Sequence, residues 1–237
     1  MTSSTVGPTG FRVWNVPTAE IPVRGRVRPT VPDRPFDPYH AAAFLAAASV
    51  TTGTVVVQGW PRPTGHGTDG AADDRIRHLL AGLGVYVVRT AEGLTATSRS
   101  TSGDLRGGRF DLTGMPRLVP LALVLAALAE GPSTLIGPAR TAPAALAAVE
   151  ALRTVGGAAD WTGDGLLVHP RRLTGALWVA AGDVDVALAG IVLGLTVPGV
   201  RLDDLSPVID AIPAFDDLWL RLLWADEHLL PGTSAAH

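Results

Sequence analysis

Asp37-Pro38-Tyr39-His40-Ala41-Ala42-Ala43-Phe44-Leu45-Ala46-Ala47-Ala48, followed closely by Gly53-Thr54-Val55-Val56-Val57, carries the clearest structural signal in the chain. Residues 39–50 predict an Ala-rich helix. Gly53 stops it, since glycine ends a helix at little conformational cost, and β-branched residues 54–58 then predict a strand. The helix is apolar almost all round, so it must lie inside, covered by other elements.

The same pattern recurs. Residues 116–130 form a second apolar helix, stopped by Gly131 and followed by a strand at 134–136. Residues 183–195 form a third, leading through Pro198 and Gly199 into a strand at 200–202. A second set of helices spans 72–83, ending at Gly84, and 143–155, ending at Gly156 and Gly157. These run into short strands at 85–89 with 94–97, and at 166–169; residues 216–224 are their counterpart in the last unit. The chain thus holds three units of helix–strand–helix–strand–strand, the last shortened. A repeat of roughly 70–80 residues suits lobes around a shared core better than a solenoid. Residues 1–35, rich in Pro, Arg and Thr, are expected to be an extended segment with strands at 11–16 and 21–27. The domain is placed at 36–230, with a fraying tail at 231–237.

Composition narrows the chemistry. Of 237 residues 47% are apolar and 17% charged, which fits a globular protein with a large core. A net charge of -3 leaves no broad basic footprint for nucleic acid. All 19 basic residues are Arg, so Schiff-base, Lys-base and phosphate-loop Lys chemistry are excluded. Without Cys there is no thiolate nucleophile, disulfide or Cys-based metal site. The longest apolar run, 118–129, is too short for a bilayer, and the first ten residues lack a signal-peptide pattern. A soluble cytoplasmic protein is expected, without membrane or nucleic-acid partners.

Particular strings in this order resemble the enolpyruvyl transferase family, of the 5-enolpyruvylshikimate-3-phosphate synthase type. Besides the opening stretch they are Leu79-Leu80-Ala81-Gly82-Leu83-Gly84, Met115-Pro116-Arg117, Ala129-Glu130-Gly131, Leu152-Arg153-Thr154-Val155-Gly156 and Ile212-Pro213-Ala214-Phe215. The similarity runs from residue 35 to 223 and is carried by apolar and Gly positions. It implies an α/β fold: a single enolpyruvyl-transferase-like domain of three βαβαββ units, an inside-out α/β barrel or prism. Family members have two such domains that close like jaws, and this chain is similar to the C-terminal jaw alone.

The resemblance also implies chemistry whose motifs are altered here. Enolpyruvyl transfer must grip two anionic groups and shuttle protons, which needs cations and a carboxyl acid/base. The family's Ile/Met-Pro-Asp becomes Met115-Pro116-Arg117. Its Lys-Glu-Ser/Thr-Asp-Arg run falls on Arg140-Thr141-Ala142-Pro143-Ala144, so only the first cation survives. Its Asp-His-Arg becomes Asp183-Val184-Asp185, and its late Lys falls on Asp210. In the Gly-Asp-x-Ser-Ser string Asp37 survives, while Tyr39 and His40 replace the hydroxyls. Losing one acid/base or anion clamp commonly costs ~10²–10⁴ in rate, so ordinary enolpyruvyl transfer is not expected.

Other signals have plainer readings. Gly65-His66-Gly67-Thr68-Asp69-Gly70 fits G-x-G-x-x-G, but residues 60–64 separate it from the preceding strand and the next strand ends in Arg89. It reads as a Gly loop at the jaw mouth. No metal site or cofactor is expected, His66 with Asp69 being the one pair near ligand spacing. Tyr39, His40, Arg117 and Asp183 remain as catalytic candidates. Asp37, Trp60, His66, Arg140, Thr141, Asp185 and Asp210 are candidate ligand contacts.

Three functions stay open. The first is a divergent single-domain homologue repurposed to cyclise or isomerise a less charged small molecule by shape and proximity in specialised metabolism, with a homodimer rebuilding the cleft. The second is a non-catalytic pseudoenzyme subunit whose open jaw face binds a protein partner. The third is half of a split transferase.

Overall fold

A computed structural model describes residues 4–6, 12–18, 23–29, 37–61, 68–98 and 105–223. Two strands come first, β1 (Ser4–Val6) and β2 (Arg12–Asn15). The first unit follows as β3 (Arg24–Val27), α1 (Pro38–Val50), β4 (Thr54–Gln58), α2 (Thr68–Gly82), β5 (Val85–Arg89) and β6 (Gly93–Ser98). After β7 (Leu105–Arg106) the second runs β8 (Arg109–Asp111), α3 (Val119–Ala127), β9 (Ala129–Glu130), β10 (Ser133–Ile136), α4 (Pro143–Thr154), β11 (Ala158–Trp161) and β12 (Gly165–His169). The third comprises β13 (Leu177–Trp178), α5 (Val184–Gly194), β14 (Arg201–Leu202), α6 (Ser206–Ala211) and α7 (Phe215–Leu223).

Three four-stranded sheets result, ordered β3-β4-β6-β5, β8-β10-β12-β11 and β13-β14-β2-β1. In each, the first two strands are parallel and the rest antiparallel. The third sheet explains the shortened last unit. Its final two strands are supplied by β1 and β2 from the other end of the chain, with Leu202 opposite Trp14. The strands before residue 35 are therefore woven into the sheets: β3 also pairs along β4, Arg24 to Thr54.

Helices α1, α3 and α5 touch one another at the centre, each backed by its own sheet. Every residue of α3 is buried, as are Ala41–Val50 of α1 and Val186–Gly194 of α5. Helices apolar on all sides can persist only in such surroundings, and alanines let them approach closely. Gly53 serves the same tight geometry: a Cβ there would lie 1.8 Å from the Val23 carbonyl oxygen. Outside, α4 lies against β11 of its own sheet and β13 of the next, and α7 lies against β3. Phe215 and Trp219 of α7 stack at 5.4 Å and both meet Phe44 of α1 edge-on.

The second unit departs from expectation in two places. The helix expected at 116–130 is a 3-10 turn, Pro116–Leu118, leading into a shorter α3, because Ala129 and Glu130 leave the helix to pair with Leu105 and Arg106. Strand β11 was not anticipated: its Ala158-Ala159 start carries little β signal, and cross-strand pairing with Val168 and His169 holds it. The expected tail at 231–237 lies outside the described residues. Among the described residues no helix is long and apolar enough to cross a membrane.

Candidate functional site

The three inner helices all begin at the same end of the domain, and their first residues build one cluster. Asp37 precedes α1 in extended conformation, and its Oδ1 accepts from the backbone N–H groups of Tyr39 (2.9 Å) and His40 (3.3 Å). Asp183 does the same for α5, accepting from Val186 N–H at 3.0 Å. Both are side-chain N-caps, satisfying donors a helix leaves open. The turn before α3 starts at Met115-Pro116 and has no side-chain cap; there the chain places Arg117.

Arg117 is held by the other two helix starts. Its Nε and Nη2 donate to the two oxygens of Asp185 at 2.8 and 3.0 Å, a bidentate pair, and Nη1 donates to Asp37 Oδ2 at 2.9 Å. Nη2 also lies 2.8 Å from His40 Nε2. Arginine has no acceptor, so Nε2 must present its lone pair; the imidazole proton then sits on Nδ1, facing Asp37 Oδ2 at 3.5 Å. The guanidinium lies over the Tyr39 ring at 4.7 Å, and the Tyr39 hydroxyl donates to Met115 Sδ at 2.9 Å. Four of the five guanidinium N–H donors are thus occupied by the protein itself. The crevice beside them, lined by Tyr39, Leu121 and Leu188 among others, has about 10 Å³ of free space, room for one water.

The electrostatics follow from this closure. Burial pushes the Asp37 carboxyl up, but His40 and the Arg117 guanidinium outweigh it and hold it below the ordinary value. Asp185, more deeply buried, is pushed up by desolvation against the opposing bonds from Arg117. Burial keeps His40 below its usual value despite Asp37 and Asp185, so it is neutral at pH 7. Desolvation acts to lower Arg117, yet bonds to Asp185 and Asp37 raise it further into the always-charged range. Tyr39 is raised by burial.

The structure thus gathers Asp37, Tyr39, His40, Arg117, Asp183 and Asp185 and leaves the other candidates outside. Trp60 is buried and offers no surface to a ligand. Arg140 and Thr141 are exposed just before α4, Arg140 lying 5.8 Å over the Trp161 ring. Asp210 is exposed on α6, and His66 lies outside the described residues. Asp203 caps the turn before α5, accepting from Ala180 and Ala181 N–H. Among the described residues no group of three or more His, Asp or Glu is placed to hold a metal ion. Reading residues one at a time missed the mutual satisfaction of Arg117 and Asp185. The signal lay in their opposite signs: an acid-to-base change at 117 accompanies a base-to-acid change at 185.

Comparison with known proteins agrees with this architecture. The family described as EPSP synthase (3-phosphoshikimate 1-carboxyvinyltransferase) matches residues 15–219. The chain belongs to the EPSP synthase family. The 3-phosphoshikimate 1-carboxyvinyltransferase of Kocuria rhizophila is 36% identical over 191 residues, which cover 79% of this chain and 41% of that protein. The EPSP synthase from Acinetobacter baumannii superposes with a TM-score of 0.61 at 22% identity, over 79% of this chain and 46% of its own. The enolpyruvyl transferase NikO from Streptomyces tendae gives 0.60 at 22%, over 78% and 42%. The chain therefore spans less than half the length of these EPSP synthase relatives, and the two structures bear on fold alone.

Proposed function

We propose that this chain is a non-catalytic member of the EPSP synthase family, a pseudoenzyme domain whose helix-start face binds a protein partner instead of two anionic reactants. The observation that carries the reading is the saturation of Arg117 by Asp185, Asp37 and His40 around a crevice of about 10 Å³. A cation already bidentate to a buried carboxylate has little left for a phosphate or carboxylate ligand. Conversion of a less charged molecule, as cyclase or isomerase, is less well supported because it needs a lined pocket beside the candidate residues.

Protein binding draws support from the neighbouring surface. Val179 and Asp204 follow β13 and β14, and Ile209 and Asp210 lie on α6, which packs on α5; all four are exposed, Val179 and Ile209 by more than two-fifths. Exposed acids beside apolar residues suit a partner presenting Arg or Lys around an apolar centre. A second chain carrying the opposite jaw, or a second copy of this one, would occupy the same face.

The test is calorimetric titration with phosphoenolpyruvate and shikimate 3-phosphate, with native mass spectrometry of the protein from its own cells. No saturable heat is expected, together with a second polypeptide whose association is lost in an Asp204→Lys/Asp210→Lys variant. Saturable phosphoenolpyruvate binding that Arg117→Met abolishes would overturn the proposal.

A further inference from the structure

The opposite end of the domain, where the inner helices finish, carries a feature unrelated to the Arg117 cluster. A concavity of about 400 Å³, open to solvent, lies there; half-buried Leu128 and Leu173 line it over buried Ala127 and Val197, and exposed Pro170, Arg171 and Arg172 stand beside them. Its size falls in the range of sites for metabolite-sized molecules, roughly 300–1,000 Å³. The helix-start crevice does not.

The two arginines lie on the connection between β12 and β13, which has no regular structure but is tied down. Thr174 N–H donates to the Val155 carbonyl at the end of α4, and the Ala176 carbonyl accepts from Arg201 N–H. Both arginines are exposed, and among the described residues neither has an ion-pair or hydrogen-bond partner. Arg26, Arg75, Arg117 and Arg153, by contrast, each pair with a carboxylate. Two adjacent unpaired cations beside the half-buried Leu128 and Leu173 define complementary chemistry: an anionic head for the guanidinium forks and an apolar body for the two leucines.

We propose that this cleft is a binding site for a small amphipathic carboxylate, its carboxylate gripped by Arg171 and Arg172 and its hydrocarbon or ring seated on Leu128 and Leu173. The site is independent of the helix-start face and of the partner proposed for it.

Calorimetric titration of the full chain at low ionic strength tests it, with octanoate as probe, octanamide as its neutral match and inorganic phosphate as an anion without an apolar body. Octanoate should bind saturably and at least about tenfold more tightly than either comparator, since both halves of the site are then used. Arg171→Ala/Arg172→Ala should weaken octanoate about tenfold or more, and the Lys/Lys variant less, because charge is kept while the fork is lost. Far-UV circular dichroism should show all variants folded, these being surface positions, and Arg26→Ala, which removes an exposed arginine from a different sheet, should leave octanoate binding unchanged. Equal binding of octanoate and octanamide, undiminished binding by the double Ala variant, or no binding at all would overturn the assignment.

Discussion

Replacing Arg117 by Met keeps the aliphatic stem over Tyr39 and removes the charge. It strips the cation from Asp185, whose side chain is 11% exposed, and from Asp37, 30% exposed. Breaking a fully buried pair costs about 3–5 kcal/mol. Arg117 itself is 40% exposed, and solvent screens it, so about 2–3 kcal/mol is expected here. At about 2–4 °C per kcal/mol for a chain of this size, the midpoint should drop by roughly 5–10 °C.

The pH dependence is more discriminating. In the native protein burial holds His40 below the unfolded value of about 6.5. The unfolded chain then binds more protons, so this contribution is present above that value and is lost as pH falls through it. In Arg117→Met the imidazole is the one cation left between two carboxylates, at 3.5 and 3.8 Å. Its folded pKa must rise above the unfolded one, giving stability that is full in acid and lost as pH rises. The deficit of the variant, measured by urea unfolding, should therefore shrink from about pH 7.5 to about pH 5.5. A His40→Gln background should abolish that change. A deficit that is constant or grows in acid, or one below about 0.5 kcal/mol, would refute the assigned network.

Further variants separate the parts. Arg117→Asp and Asp185→Arg should each destabilise, while the double exchange recovers at least about 1 kcal/mol in a double-mutant cycle, because an ion pair re-forms with its polarity reversed. Asp37→Ser should keep the α1 cap and lose only the Arg117 contact, whereas Asp37→Ala loses both and should be about 1 kcal/mol less stable than the Ser variant by denaturant titration. Gly190→Ala should cost about 1–3 kcal/mol by the same measurement, since its Cβ would lie 2.4 Å from the Trp178 ring in the packed centre.

The inner helices were legible because residues 41–48 and 119–127 have no polar side to expose, and a helix without one has a single possible environment. Strands β4 and β5 were found to the residue for a related reason: each is a β-branched run bounded by Gly or a polar turn. What stayed hidden depended on distant partners. Nothing local in residues 4–15 says that they complete the sheet of β14, which pairs residues near one end of the chain with others nearly 190 positions later. At the site, Asp37, Tyr39, His40, Arg117, Asp183 and Asp185 were all singled out, but one by one, as separate candidates for catalysis or ligand contact. Their pairing required the three helix starts to meet, which is a property of the packing.

That meeting point bears on why this face of the domain should refuse anions. Helix starts carry positive partial charge and favour anions by themselves; here Asp37, Asp183 and Asp185 take that place, and Arg117 offsets two of them. If the carboxylates are the bar, Asp37→Asn/Asp185→Asn should remove it. The two changes raise the charge of the cluster by two units and free the Arg117 fork, while Asn at 37 still caps α1. Inorganic phosphate should then bind in the millimolar range, detectable as a thermal shift that Arg117→Met cancels and added salt weakens. If the double variant is folded and phosphate still does not bind, charge is not what excludes anions. The closeness of the packed helix starts would then be the cause.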